Sequence, residues 1–239
     1  CNAYGLDTIS TGVTIAFAIE CYERGLIGPA ETGGLVLRWG DGDAVLTLIE
    51  QIAHRQGFGD LLSQGSRRAA EAIGQGASQY AVQIKGQEVA LHDPRIKYGH
   101  GLGIAVSPTG ADHMHTVQDN GYQDEGGIEA IMPLGILEPL PYDDLSVAKV
   151  RMVRYAMLWR VSYNLTGLCY FHSYTAEQVA QLVGAVTGWN TSVMELWLAA
   201  ERAYDMARAF NAREGIGPEQ DTLPPRLFVE RPGQHLDQL

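Results

Sequence analysis

The chain begins with Cys1-Asn2-Ala3-Tyr4-Gly5-Leu6-Asp7-Thr8-Ile9-Ser10-Thr11-Gly12, and a similar run, Asn164-Leu165-Thr166-Gly167-Leu168-Cys169, lies far downstream. Both runs fit the pattern Asn-x-x-Gly-Leu followed by Asp or Cys. Each offers a side-chain amide and a glycine where the backbone can approach a flat ligand closely. We expect a helix to start after each run, with free N–H groups suited to an anion. These features suit a planar heterocycle with a phosphate tail, and the alternative is simple turn chemistry before a helix.

The rest of the sequence predicts a mainly α-helical protein in two helical lobes, residues 1–84 and 85–239. Helix-capping residues and helical spacing of apolar side chains mark most of the elements. Residues 81–86 alternate enough for a short strand, and Asp93-Pro94-Arg95 forces a turn just beyond it. The segment 99–106 is small and Gly-rich. The predicted helices span residues 12–24, 44–55, 61–73, 144–163, 176–186 and 192–213, with an extended strap over residues 218–239.

Composition excludes several classes of partner. The 239 residues carry a formal net charge of -11, which argues against nucleic acid because phosphate binding needs clustered Lys and Arg. No apolar run approaches the roughly 18 residues of a membrane helix, and we expect no signal peptide. Three cysteines, an odd number, do not indicate a disulfide framework, so we expect the protein to be located in a reducing cytoplasm. Because the first residue is Cys1 rather than Met, we expect the sequence to be part of a longer chain.

A cysteine and a histidine are the candidate reactive side chains. Cysteine number alone favours buried structural thiols for Cys1, Cys21 and Cys169, and Cys21 has the helical spacing of a core residue. His113 has a side chain that titrates near neutrality and can move a proton, or it is a loop histidine bonded to a neighbour. His113 and His115 also form a His-x-His pair, but no third zinc ligand stands at a recognisable spacing.

Several segments, in the same order, resemble the aldehyde:ferredoxin oxidoreductase family. Each segment is weak by itself, but together they are specific and cover nearly the whole chain. The match corresponds to the second and third domains of that family, without its N-terminal domain. Besides residues 1–12 and 164–169, the similar segments are Gly57-Phe58-Gly59-Asp60, His92-Asp93-Pro94-Arg95, Gly99-His100-Gly101-Leu102-Gly103 and Asp221-Thr222-Leu223-Pro224.

The resemblance implies a cofactor and the residues that hold it. In that family two pyranopterins hold one tungsten (or molybdenum), and each pterin is cradled by one of the two motifs. Cys169 falls on the fourth ligand of a 4Fe-4S cluster whose other cysteines lie upstream, and His113 falls on the catalytic histidine beside the metal. Arg95 is a candidate for the pterin phosphates or, equally, for a structural ion pair. The implied cofactor-binding residues are Asn2, Gly5, Leu6, Asp7, His115, Asn164, Gly167 and Leu168.

Three of these positions depart from the family pattern, and Asn2, at the start of the first motif, departs only mildly. The family usually has Asp at the start of the second motif, so Asn164 replaces a carboxylate by an amide that can still donate and accept. At the place of His115 the family often has a basic residue near the pterin, and a histidine is mostly neutral at pH 7. The two leucines, Leu6 and Leu168, are expected to pack beneath the ligand.

The activity implied by the resemblance is oxidation of an aldehyde to a carboxylic acid, with ferredoxin or a similar carrier as electron acceptor. The implied partners are the N-terminal part of the same enzyme and a second copy in a homodimer. One alternative is an enzyme with the same scaffold and another substrate, such as a benzoyl-coenzyme A reductase-like subunit. Another is a helical scaffold or interaction domain without a cofactor. We expect the isolated chain to be inactive, because three cluster thiolates lie elsewhere.

Overall fold

The computed structural model describes residues 1–172 and 174–228, and these are mainly helical with one short hairpin. The predicted fold class is therefore confirmed. The chain divides into two compact units, one of residues Cys1–Leu91 with the described residues from Thr222 onward, and one of residues His92–Asp221. The division predicted from the sequence, between residues 84 and 85, falls at the turn of the hairpin rather than after it.

The first unit packs four helices and the hairpin around an apolar core. Its core includes Ile15, Phe17, Leu37, Leu48 and Leu62, all nearly inaccessible to solvent. The strands pair antiparallel, with Gln83 opposite Glu88. The elements are α1 (Thr8–Glu23), α2 (Gly42–His54), α3 (Phe58–Leu62), α4 (Ser66–Ile73), β1 (Gln83–Ile84) and β2 (Gln87–Glu88).

Helix α1 begins earlier than the sequence pattern predicts, at Thr8 instead of residue 12. The Asp7 carboxylate accepts the Ser10 N–H at 2.6 Å, so Asp7 is the N-cap and the following Ser and Thr residues are helical. The helix ends as expected, with Arg24 as its C-cap and Gly25 in the left-handed region at φ 72°.

The helix predicted over residues 61–73 is wrong, because the structure contains two helices there, separated near Gly65. Gly65 adopts φ 83°, which ends the first helix. The buried carboxylate of Glu88 then accepts the Ser66 N–H at 2.7 Å and the Ser66 hydroxyl at 2.9 Å. Glu88 therefore caps α4 from a distant part of the chain, and Thr14 adds a further hydroxyl at 3.3 Å.

The second unit is built around one central helix. Helix α7 buries residues on all sides, among them Met152, Val153, Trp159 and Tyr163. Capping boxes start the two helices after it, at Thr175 and Ser192, close to the predicted starts. The elements are α5 (Tyr98–Val106), α6 (Glu125–Ile128), α7 (Val147–Thr166), α8 (Ala176–Thr187) and α9 (Val193–Arg213).

Helix α5 was not predicted, because its sequence is rich in glycine. Its N-cap, Lys97, makes no side-chain capping hydrogen bond. Instead the buried carboxylate of Asp119 accepts the N–H groups of Gly99 at 3.1 Å and His100 at 2.7 Å. Lys149, also fully buried, donates to the same carboxylate at 2.7 Å. A long-range acid thus starts this helix.

The strap predicted over residues 218–239 contains two short 3-10 turns in its described part, Pro218–Gln220 and Pro225–Leu227. Arg226 pairs with Glu20 at 2.8 Å, which ties the second turn to α1. The remainder, residues 229–239, lies outside the described residues. Within residues 1–172 and 174–228, no helix has both the length and the apolar character needed to cross a bilayer.

Candidate cofactor-binding site

The first motif forms a tight bend that leads into α1. A 3-10 turn over Asn2–Tyr4 ends at Gly5, and the Leu6 N–H donates to Cys1 O at 3.1 Å. The Asn2 side chain is exposed and has no hydrogen bond within the described residues. Leu6 packs on the core of the first unit, and Asp7 caps the helix. The motif therefore has a helix start after it, as predicted, but one of its helix N–H groups is already satisfied by Asp7.

The second motif ends a helix, so the prediction that a helix starts after it is wrong. Asn164 lies in the last turn of α7, and Gly167 is the C-cap of that helix. The Leu168 N–H donates to Tyr163 O at 3.1 Å and closes the helix end. The next helix begins only at Ala176. Free carbonyl groups and the negative end of the helix dipole, rather than N–H groups, therefore surround this motif.

The two glycines nevertheless adopt the same backbone conformation. Gly5 has φ 70° and ψ 25°, and Gly167 has φ 69° and ψ 18°. Both are exposed, and a Cβ placed at either position would meet no atom within 4 Å. The left-handed φ favours glycine, and the open space beside each residue allows a flat group to approach the backbone. The residues present at each bend therefore fit the edge of a pterin.

The structure brings together two of the predicted residues of the second unit. The Asn164 amide nitrogen lies 3.1 Å from Nε2 of His115. Burial is the largest cause that lowers the pKa of His115, and nearby Arg160 lowers it further while Asp112 opposes the shift. A neutral imidazole therefore faces the Asn164 amide. Its second nitrogen, Nδ1, is buried without a partner among the described residues.

His113 stands in a loop shaped by Asp112. The Asp112 carboxylate accepts the Met114 N–H at 2.8 Å, which forms a local turn around the histidine. The His113 ring packs against the ring of His92, with centroids 5.1 Å apart and planes tilted by 39°. His92 in turn contacts His100 edge-on at 5.7 Å. The three imidazoles form a row that leads from the loop to α5.

Burial controls the protonation of this row. His100 is almost inaccessible, and burial lowers its pKa to about 4, although its Nδ1 lies 3.2 Å from Val117 O. Burial is also the largest cause that lowers the pKa of His92, with Lys97 and His113 as smaller causes. His92 and His100 are therefore neutral near pH 7. The sequence analysis assigned neither of them a role, although both occur in segments that resemble the family.

Arg95 makes the structural ion pair that was one of its two predicted roles. Its guanidinium contacts the Asp93 carboxylate at 2.7 Å, and its backbone N–H donates to the same side chain at 2.9 Å. Because this pair is bidentate and local, it stabilises the turn before α5.

Cys169 is exposed two residues after the Gly167 bend, and its carbonyl accepts the His172 N–H at 3.1 Å. Leu168, the residue between, packs on a core cluster of the second unit and directs the thiol outward. Cys21 is instead a buried core thiol whose pKa is raised by burial to about 11, as the sequence predicts. Among the described residues, no three His, Cys, Asp or Glu side chains are gathered so as to hold a metal ion. The zinc alternative at His113 and His115 therefore gains no support.

The comparison with known families agrees with this fold and these motifs. A family model for an oxidoreductase, described as "Aldehyde ferredoxin oxidoreductase, domains 2 & 3", matches residues 1–238. The chain belongs to the aldehyde ferredoxin oxidoreductase family, as the resemblance implied.

Individual relatives support the same assignment. The chain is 34% identical over 237 residues to a tungsten-containing aldehyde ferredoxin oxidoreductase of Pyrococcus furiosus, covering 97% of this chain and 37% of the relative. It is 35% identical over 239 residues to the enzyme of that name from Pyrococcus horikoshii, with the same coverages. It is 39% identical over 118 residues to the WOR-like subunit of an aliphatic sulfonate oxidoreductase of Pyrococcus furiosus, covering 47% of this chain and 19% of that relative.

Among solved structures, the active-site complex BamBC of benzoyl-coenzyme A reductase has the same fold, with a TM-score of 0.66 and 22% identity. The alignment covers 95% of this chain and 39% of that structure's chain. The chain thus spans little more than a third of the length of the relatives that it matches.

Proposed function

We propose that this chain is the part of a tungsten-containing (or molybdenum-containing) oxidoreductase that holds two pyranopterins and supplies one thiolate to a 4Fe-4S cluster. The complete enzyme would convert an aldehyde and water into a carboxylic acid, two protons and two electrons, and would pass the electrons to ferredoxin or a similar carrier. The remaining cluster cysteines would come from another part of the enzyme.

The single observation that carries this proposal is the shared backbone geometry of Gly5 and Gly167. Two bends from distant parts of the sequence have φ and ψ values that agree to within a few degrees. Each is exposed, open on the side where a Cβ would stand, and anchored by a leucine that packs inward. A turn that served only to end a helix would not need the same Asn, Gly and Leu pattern in both units.

The chain's own residues would bind and orient the cofactor and move a proton. Asn2 has a free side-chain amide for a ring edge, and Asn164 and His115 present a second, paired set of polar groups. Leu6 and Leu168 hold the two bends, and Asp7 fixes the direction of α1. The bound metal would supply the two-electron redox change.

His113 is the residue that we propose as the proton-transfer group. It is partly exposed in its loop, and the ring of neutral His92 lies against it. An imidazole held in this way can accept a proton released when water adds to an aldehyde carbon, or donate a hydrogen bond to its oxygen.

The test is a metal and activity analysis of the complete enzyme, prepared without oxygen and with tungstate. We expect one tungsten per polypeptide, iron in the amount of a 4Fe-4S cluster, and aldehyde-dependent reduction of a viologen dye. Cys169→Ala should lose most of the iron, because four thiolates are the usual ligand set of such a cluster. Cys21→Ala is the matched control, since this thiol lies in the core, and it should keep the iron.

Three results would contradict the proposal. Absence of both metals under these conditions would favour a cofactor-free scaffold. Full iron content and activity in Cys169→Ala would remove the cluster assignment. A loaded enzyme that reduces no dye with a panel of aldehydes would direct attention to a different substrate on the same scaffold.

A further inference from the structure

The second unit contains a cavity of about 360 Å³ that none of the predicted site residues lines. The cavity is large enough for a small organic ligand, since such sites typically measure about 300–1,000 Å³. Five of its twelve described lining residues are tyrosine or tryptophan. The aromatic and charged side chains that matter to the argument are Tyr122, Trp159, Tyr163, Tyr170, Tyr174 and Arg160.

Arg160 is an unusual residue to find in this wall, because it is 95% buried and has no carboxylate partner among the described residues. Its Nη1 donates to Met114 O at 3.3 Å, and its Nε is buried without an acceptor in the described part of the chain. A buried charge with unsatisfied donors is costly unless something pairs with it. The described lining contains no Asp or Glu that could do so.

The ring of Tyr170 partly compensates this charge. The guanidinium carbon lies 3.8 Å from the ring centroid, a close cation–π contact. This contact also holds the guanidinium plane in one orientation. A fixed planar guanidinium binds a carboxylate through two parallel hydrogen bonds, whereas a lysine would offer only a point charge.

The remaining walls favour a flat apolar body. Trp159 and Tyr163 meet edge-to-face, with centroids 5.6 Å apart, and Tyr163 meets Tyr170 in the same way at 5.5 Å. Aromatic walls of this kind prefer an aromatic guest, which can stack or make edge contacts. Burial raises the pKa of Tyr122 to about 12, with Tyr170 adding to the shift and Arg160 opposing it, so this hydroxyl stays protonated and adds no negative charge beside Arg160.

We infer that this cavity binds an aromatic carboxylate, with Arg160 paired to the carboxylate group and the tyrosine and tryptophan rings around the aromatic ring. The link from this cavity to the reaction rests on the proposed function. An aromatic carboxylate is the oxidation product of an aromatic aldehyde, so an enzyme that holds its product in this cavity would have aromatic aldehydes as its substrates. Its position fits that role, because Met114, the acceptor for Arg160, directly follows His113 in the chain.

The test is calorimetric titration of the complete, cofactor-loaded enzyme with sodium benzoate. We expect saturable binding that is at least about tenfold weaker for benzamide, because benzamide lacks the charge that pairs with the Arg160 guanidinium. Cyclohexanecarboxylate, which keeps the charge but not the aromatic ring, should also bind more weakly. These comparisons need no variant, so they decide the matter even if a substitution at Arg160 prevents folding.

A matched pair of variants locates the site. Arg160→Gln should weaken benzoate binding at least about tenfold, because it removes the charged donors. Arg151→Gln, an exposed position on the same helix α7, should leave the binding unchanged. Equal binding of benzoate and benzamide would overturn the anion site. Equal binding of cyclohexanecarboxylate would overturn the aromatic class, and unchanged binding in Arg160→Gln would overturn the location.

The activity assay separates this inference from the proposed function. If benzoate binds in an Arg160-dependent way but no aldehyde is oxidised, the proposed function fails and the cavity assignment stands. If aliphatic aldehydes are oxidised and benzaldehyde is not, the proposed function stands and the substrate class is wrong. Faster oxidation of benzaldehyde than of butanal at equal concentration is the result that we expect.

Discussion

The buried pair of Asp119 and Lys149 provides the sharpest stability prediction. Asp119 accepts three hydrogen bonds, two from the first turn of α5 and one from Lys149, and both side chains are inaccessible to solvent. Lys149→Met leaves a buried carboxylate that still has the two N–H donors of Gly99 and His100. Asp119→Ala leaves a buried ammonium without a partner and also removes the acceptor of the Gly99 and His100 N–H groups in the first turn of α5. The two substitutions break the same ion pair but should differ in cost.

The expected loss of stability follows from the hydrogen-bonding groups that each substitution leaves without a partner. Breaking a buried pair from one side costs about 3–5 kcal/mol, and we expect Lys149→Met near the lower value because the remaining charge keeps two donors. Asp119→Ala should add about 1–3 kcal/mol for each orphaned N–H group, giving a total well above 5 kcal/mol or a second unit that no longer folds.

Hydrogen–deuterium exchange with denaturant titration can measure this difference. In Asp119→Ala the amides of Gly99 and His100 should exchange much faster, while in Lys149→Met they should remain protected. Arg151→Met, at an exposed position on α7, provides a charge-loss control if its cost stays small. Equal destabilisation by the two main substitutions, or protected Gly99 and His100 amides in Asp119→Ala, would refute the argument that Asp119 starts helix α5.

Two further predictions concern the glycine bends and the buried histidines. Gly167→Ala and Gly188→Ala should each lower the free energy of unfolding by about 1 kcal/mol, because both residues are helix C-caps with positive φ and open surroundings. Only Gly167→Ala should also lower the tungsten content of the complete enzyme. Equal tungsten content in the two variants would contradict the pterin assignment. Burial lowers the pKa of His100 from the ordinary 6.5 to about 4 in the folded protein. As the pH falls, the unfolded chain therefore binds a proton at this residue before the folded chain does, and the free energy of unfolding decreases between these two pKa values. The fall between about pH 7 and pH 5 should be about 2 kcal/mol by urea titration, and His100→Asn should reduce it while His54→Asn, at an exposed position, should not.

The sequence predicted the elements whose signals are local. The starts of α8 and α9 were close to correct because Thr175 and Ser192 stand three residues before Gln178 and Glu195, and each pair forms a reciprocal cap. The end of α1 was visible in Gly25. In each case the residues that decide the boundary lie within one helical turn of it.

The sequence failed where distant residues decide the structure. The break before α4 depends on Glu88, 22 residues further along the chain, and the start of α5 depends on Asp119, which lies 20 residues after Gly99. No spacing rule connects these partners. The cavity around Arg160 was missed for a related reason. Within α7 an arginine after Trp159 looks like one polar residue in an amphipathic helix, and only the fold shows that every residue from 156 to 163 is buried.

The two motifs show how far a repeated sequence pattern can be trusted. Their likeness is real at the glycine, where φ and ψ nearly coincide, but it does not extend to the neighbouring secondary structure. Helix α1 begins at the first bend, so N–H groups and the positive end of a helix dipole are close to it. The Asp7 carboxylate already accepts one of these N–H groups. At the second bend α7 ends, so carbonyl groups are close instead. A ligand edge that donates hydrogen bonds is therefore better suited to the Gly167 bend, and an edge or tail that accepts them to the Gly5 bend. This difference also explains why an amide suits position 164. At the negative end of a helix the Asn164 amide avoids the repulsion that a carboxylate would meet. Its contact with neutral His115 adds no charge.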